Sequence, residues 1–108
     1  MAKRKVREAV AFFGRCLGEE GVKASKIVLF GSQAKGTATA ESDLDILVVS
    51  KDFRGKDIFQ RAAMTKNAEI RTLKKFMIPI DIFTLTPEEA KKSLIASYAE
   101  AGKVVHGI

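Results

Sequence analysis

Cysteine is nearly missing from this chain: Cys16 stands alone among 108 residues, so no internal disulfide can staple the fold. It falls among Phe12, Phe13 and Leu17 on a predicted helix, which reads it as a small core residue and not a nucleophile. Tryptophan is absent, and the aromatics present do not alternate with basic residues as the stacking platforms of a single-strand nucleic-acid binder do. The lone histidine, His106, is far in sequence from any acidic motif and reads as a surface or edge residue, not a ligand. No apolar run approaches the roughly 20 residues that a membrane-spanning helix needs. The basic start Lys3-Arg4-Lys5 is not followed by the apolar core of a signal peptide. These absences lead us to expect a cytoplasmic protein. There are no repeats, linkers or low-complexity segments either.

What remains is ordinary for a globular chain: 46% hydrophobic and 30% charged residues. The length predicts a single domain over residues 1–108. The net charge is +6, with modest clusters at residues 3–7 and at Arg71, Lys74 and Lys75. A solvated surface accounts for most of it. The excess also suits ATP, RNA or an acidic partner, although direct nucleic-acid binding is not favoured.

Val6, Ala9, Val10, Phe13 and Leu17 recur at helical spacing and predict an amphipathic helix over 4–19, ended by Gly21. Apolar runs predict strands at 27–30, 44–49 and 79–84. Residues 50–56 read as a polar loop. A second long helix is expected over 57–75, with Ile58, Phe59, Ala62, Ala63, Ile70 and Leu73 as its apolar face and a basic outer face. Thr86-Pro87-Glu88-Glu89 is a helix start, with Thr86 as N-cap, Pro87 at the first helical position and Glu89 closing a capping box. That helix is expected to run through Leu94, Ile95 and Tyr98 to Gly102, and residues 103–106 to add a short edge strand. The order α-β-α-β-α-β-α implies an α/β (α+β) fold, a mixed sheet packed with helices.

Two motifs carry chemistry. Phe30-Gly31-Ser32-Gln33-Ala34-Lys35-Gly36 sets a Gly-Ser turn after a strand, where backbone N–H groups lack internal partners and suit an anion. Ser42-Asp43-Leu44-Asp45-Ile46-Leu47-Val48-Val49 then sets two carboxylates on one face of an apolar strand, because residues two apart share a face. Two like charges at the edge of a core element repel and are costly to desolvate unless a cation compensates them. A hard divalent ion held by carboxylate oxygens is the simplest compensation. The plainer alternative makes Asp43 a strand cap and Asp45 a solvated residue. Asp81, an isolated carboxylate in Met77-Ile78-Pro79-Ile80-Asp81-Ile82-Phe83, shifts the balance, since three adjacent strands would bring all three carboxylates to one end of a sheet.

The combination of Gly-Ser, a loop, Asp-x-Asp flanked by apolar residues and a later Asp in a strand resembles the nucleotidyltransferase (polymerase beta-like) superfamily. In its particular form it is similar to the minimal nucleotidyltransferases, the MNT group of small prokaryotic proteins. Many relatives carry Arg where this chain has Gln33 or Lys35; Lys35 keeps a positive charge without the planar fork of a guanidinium. The resemblance implies a nucleotidyltransferase-like fold and two Mg2+ ions held by Asp43, Asp45 and Asp81, the catalytic set. It also implies contacts from Gly31, Ser32 and Lys35 to the phosphates of ATP. The reaction it implies is attack of a hydroxyl on the α-phosphate, transfer of AMP and release of pyrophosphate. Asp81 would help to deprotonate the acceptor. Members of the group commonly work as antitoxins beside a separately encoded all-helical HEPN protein, adenylylating that toxin on a tyrosine. Two other readings stay open: a non-catalytic module that neutralises a helical partner by contact, and transfer to a small molecule such as an aminoglycoside. A homo-oligomer also stays open.

Overall fold

A computed structural model describes residues 3–30 and 44–92 together with the backbone of 103–107. Gly31, Ser32, Lys35 and Asp43 lie outside the described residues, as does the stretch holding Leu94, Ile95 and Tyr98.

Helix α1 (Lys3–Glu19) buries Val6, Ala9, Val10, Phe13, Cys16 and Leu17 in the core, the expected stripe with its cysteine included. Gly14 lets the helix approach the sheet closely, because a Cβ there would stand 3.2 Å from Ile27 Cδ1. The helix ends where Gly21 takes φ +87°, a left-handed turn that suits glycine, and the Val22 amide donates back to the Leu17 carbonyl at 2.9 Å.

Four strands follow the expected positions: β1 (Ala24–Phe30), β2 (Leu44–Ser50), β3 (Ile80–Leu85) and β4 (Lys103–Gly107). Their order in the sheet is β3-β2-β1-β4, so β3 and β4 are the edges. β1 pairs antiparallel with β2 and β4, while β2 and β3 run parallel, which makes the sheet mixed. A parallel neighbour requires a crossover, and α2 (Ile58–Phe76) supplies it. Both long helices lie on one face of the sheet, where Ile27, Leu29, Leu44, Ile46, Val48 and Ile80 join their core. Val28, Leu47 and Val49 form a smaller cluster on the opposite face, edged by Phe30, Phe83 and Leu85.

Two local readings are corrected. Residues 50–56 are not simply a polar loop: Lys51–Phe53 form a 3₁₀ turn and Phe53 is wholly buried. The apolar face assigned to α2 is also the wrong one. Ile58, Phe59, Ile70 and Leu73 are exposed, and the helix packs inward through Thr65, Ala68 and Thr72. The buried Thr72 hydroxyl is satisfied by donating to the Ala68 carbonyl at 2.8 Å, so this polar side chain meets the core without an unpaired group.

The turn predicted at Thr86 forms as α3 (Pro87–Ala90) with its capping box intact; residues 93–102, expected to continue it, lie outside the described residues. Glu89 does more than cap. Arg61 Nη1 and Nη2 donate to its two carboxylate oxygens at 2.7 and 3.1 Å, tying α2 to α3. The Arg61 hydrogen bond, then the Thr86 amide, hold the Glu89 carboxyl down to about 2 from an ordinary 4.5. A folded-state value below the unfolded one contributes stability that is complete above about 4.5 and is lost as pH falls toward 2. Glu89→Gln, which keeps a capping side chain, should therefore flatten the loss of stability across that window relative to the parent. Denaturant midpoints measured at stepped pH check this, and identical slopes would mean that the ion pair carries no folding energy.

Candidate active site

The register of two strands places the acidic residues. In the parallel β2–β3 pair, Asp45 is the direct partner of Asp81, and across the antiparallel β1–β2 pair Asp45 faces Phe30. Partners in register on neighbouring strands point to the same face, about 4.8 Å apart in the pairing direction. Phe30, Asp45 and Asp81 thus form one row across three strands. Alternation along β2 and β3 puts both carboxylates on the face that carries Leu47, Val49, Phe83 and Leu85, opposite the two long helices. Asp45 is half-buried and Asp81 exposed. Asp81 lies at the second position of an edge strand, on the face that the long helices leave open, so its charge stays in water.

The next row holds Val28, Leu47 and Phe83, and Phe83 packs against Phe30 with ring centroids 5.4 Å apart. This gives the acidic row a rigid apolar floor on one side. On the other side, β1 runs out at Phe30, one residue before Gly31 and Ser32, and β2 begins one residue after Asp43. The segment bearing those residues therefore leaves and re-enters the sheet at the acidic end. Register pairing and the Phe30–Phe83 contact were not legible in the motif, because nothing in an apolar run says which residue of a distant strand will stand beside it.

Two carboxylates on adjacent strands, one of them open to solvent, form an oxygen-rich donor set that suits a hard cation such as Mg2+. Such a pair can bind a metal-chelated phosphate group or take a proton from a bound hydroxyl. Among the described residues no group of three possible ligands converges, and Asp43 lies outside them. A pocket of about 440 Å³ lies elsewhere, along β3 between Arg61, Ile82, Leu85 and Glu89, and includes neither Asp45 nor Asp81. Among the described residues no helix is long and apolar enough to cross a membrane.

Comparisons with known proteins bear on the family and the fold. A family model described as a nucleotidyltransferase domain matches residues 4–105. A candidate protein adenylyltransferase of Methanocaldococcus jannaschii is 30% identical over 78 residues, covering 72% of this chain and 52% of that protein. The chain thus spans about half the length of this relative. Among solved structures, a toxin–antitoxin with AMP-PNP superposes with a TM-score of 0.63 at 19% identity, over 100% of this chain and 75% of that one. A candidate nucleotidyltransferase from Sulfolobus solfataricus gives 0.55 at 22% identity, over 85% and 73%. At such identities these two structures establish likeness of fold alone.

Proposed function

The chain belongs to the nucleotidyltransferase domain family, and from that premise we propose that it transfers AMP from ATP to a hydroxyl of a partner protein in a metal-dependent reaction. The acceptor in this reading is a tyrosine on a separately encoded helical protein of the HEPN type, and the role is that of an antitoxin. The observation that carries it is the register of Asp45 beside Asp81 at the sheet end where the Gly31–Ser32 segment begins. The likeness to a candidate protein adenylyltransferase and to a toxin–antitoxin with AMP-PNP supports the choice of a protein acceptor.

In this mechanism Asp45 and Asp81, with Asp43, hold Mg2+. The ion, when bound, neutralises phosphate charge and favours departure of pyrophosphate. Gly31 and Ser32 orient the outer phosphates through backbone N–H groups and the hydroxyl, and Lys35 adds a positive charge. Asp81, the exposed member of the pair, accepts the proton of the incoming hydroxyl. The acceptor oxygen bonds to the α-phosphorus as the bond from that phosphorus to the bridging oxygen breaks, and pyrophosphate leaves. Holding acceptor and nucleotide in line supplies much of the acceleration.

The test mixes the protein with its helical partner, ATP and magnesium, and weighs the partner by mass spectrometry. One or more AMP additions on a partner tyrosine, absent with Asp43→Asn, are expected. A tight complex without a mass change would favour neutralisation by contact. Transfer to an aminoglycoside, or to RNA ends without a partner, would overturn the protein acceptor.

A further inference from the structure

Strand β3 is an edge of the sheet, and its outer side runs beside the acidic row. The Pro79 carbonyl accepts from the Leu44 amide at 2.9 Å, so the backbone at residue 79 faces β2, and successive residues of a strand alternate from there. Ile80, Ile82 and Thr84 therefore turn their N–H and C=O groups outward. The Thr84 carbonyl agrees, since Arg61 Nη1 reaches it from α2 at 3.3 Å. Among the described residues no other hydrogen bond engages the outer edge at Ile80 or Ile82. Along this edge lies the pocket of about 440 Å³, walled by Ile82 and by Ile58 of α2, which is 74% exposed. Arg61 and its partner Glu89 stand at the Thr84 end.

An open edge selects its occupant by backbone hydrogen bonds, which an extended segment can make and a helix cannot. Side chains of an added strand alternate between the two faces of the sheet. A residue in register with Asp81 extends the row of Phe30, Asp45 and Asp81 by one place, on the open face. Because the backbone of Asp81 faces β2, an antiparallel newcomer meets it as a non-hydrogen-bonded pair, the closer kind, with Cα atoms about 4.5 Å apart. A tyrosine at the diagonal position is within reach as well. Residues one or three places away turn to the other face, where Ile58 and Ile82 of the pocket suit an apolar side chain. A second copy fits the edge poorly. Two β3 edges joined antiparallel set both Asp81 carboxylates on one face, and +6 on each chain opposes the approach. We infer that the acceptor hydroxyl arrives on an extended segment added to the outer edge of β3, with an apolar residue one or three places from it seated against Ile58 and Ile82. The hydroxyl gives its proton to Asp81 as its oxygen bonds to the α-phosphorus and pyrophosphate leaves. This inference rests on the proposed transfer to a protein and adds how the acceptor is held, whatever fold carries the segment.

Synthetic peptides of about eight residues, within the usual range of strand lengths, test it. Each carries one Leu and one Tyr in a background without other hydroxyl or large apolar residues. With Mg-ATP, AMP transfer should be efficient where Leu and Tyr stand one or three places apart. It should be at least about tenfold weaker at two or four, because a slip of one residue turns every side chain to the other face. Ile58→Glu, a change at an exposed position, should raise KM for the favoured peptides about tenfold or more with Mg-ATP affinity unchanged, since it sets a charge against the buried Leu. Independently of turnover, isotope-edited NMR should show amide exchange at Ile82 and Thr84 slowed when a favoured peptide binds. Transfer indifferent to the Leu–Tyr spacing, or β3 amides left unprotected, overturns the inference and leaves the transfer reading standing. So does transfer to the whole partner protein but to no peptide. Transfer to neither removes both. A dimer in sedimentation with those amides already protected gives the edge to a second copy and overturns the inference too.

Discussion

Asp81→Asn should lower AMP transfer by about 10²–10⁴-fold while Mg-ATP affinity changes far less, and Asp45→Asn should reverse that emphasis by abolishing magnesium-dependent ATP binding. The division follows from where the two carboxylates stand. Asp45 is half-buried at the centre of the row, between Phe30 and Asp81, so a metal-bound triphosphate held there depends on its charge. Asp81 is exposed on the edge strand, on the side from which an acceptor can approach. Its proposed role as proton acceptor would be realised mainly in the transition state, where an amide cannot replace it. A loss of this size is roughly 3–5.5 kcal/mol of barrier. Calorimetric titration with Mg-ATP and initial rates on the same preparations read the two quantities separately. Equal losses of affinity and rate in both variants would mean that the roles are wrongly divided, and unchanged affinity in Asp45→Asn would remove it from the metal site.

The sheet was legible because its signals are local. The apolar strand expected at 44–49, the capping box at Thr86 and the stop at Gly21 are each written within a few residues, and all three form as read. The family resemblance agrees with the matching family model. Part of the candidate site was legible too: Asp45 and Asp81 stand together, whereas Gly31, Ser32, Lys35 and Asp43 fall outside the described residues. Helix α2 failed for a specific reason. Apolar periodicity locates a hydrophobic stripe but does not say what covers it, and here the larger apolar side chains face outward while Thr65, Ala68 and Thr72 face in. Small side chains there let the helix sit close to its neighbours, and a threonine hydroxyl can satisfy itself on its own helix. Phe53 was not legible as a core residue because it stands alone among charged residues, with no repeat to mark it as inward.

Phe53→Ala should be among the most damaging core truncations, costing about 3–5 kcal/mol. The ring is wholly buried in the main core, and the turn that holds it is fixed on both sides. Ser50 Oγ accepts from the Asp52 amide at 3.0 Å and donates to the Lys23 carbonyl at 2.8 Å, while Asp52 Oδ2 accepts from the Lys23 amide at 2.7 Å. A backbone pinned in this way cannot collapse into the space that the ring vacates, so the cavity persists. Arg61, which ties α2 to Glu89, also has its guanidinium 5.9 Å from the ring centre, and the loss therefore reaches the α2–α3 join. Against a total stability of about 5–15 kcal/mol for a domain of ordinary size, this is a large share. Urea midpoints should fall steeply with an unchanged slope, and Phe53→Leu should recover most of the difference. The same pair separates folding from chemistry. At a temperature where Phe53→Ala is still folded it should bind Mg-ATP and transfer AMP almost as the parent does, because Phe53 lies on the helix side of the sheet and the acidic row on the other. Asp81→Asn should stay inactive at every temperature at which it is folded. A folded Phe53→Ala protein without transfer would show that the core beneath α2 positions the acidic row, and a stability loss under about 1 kcal/mol would mean that the turn can close over the cavity after all.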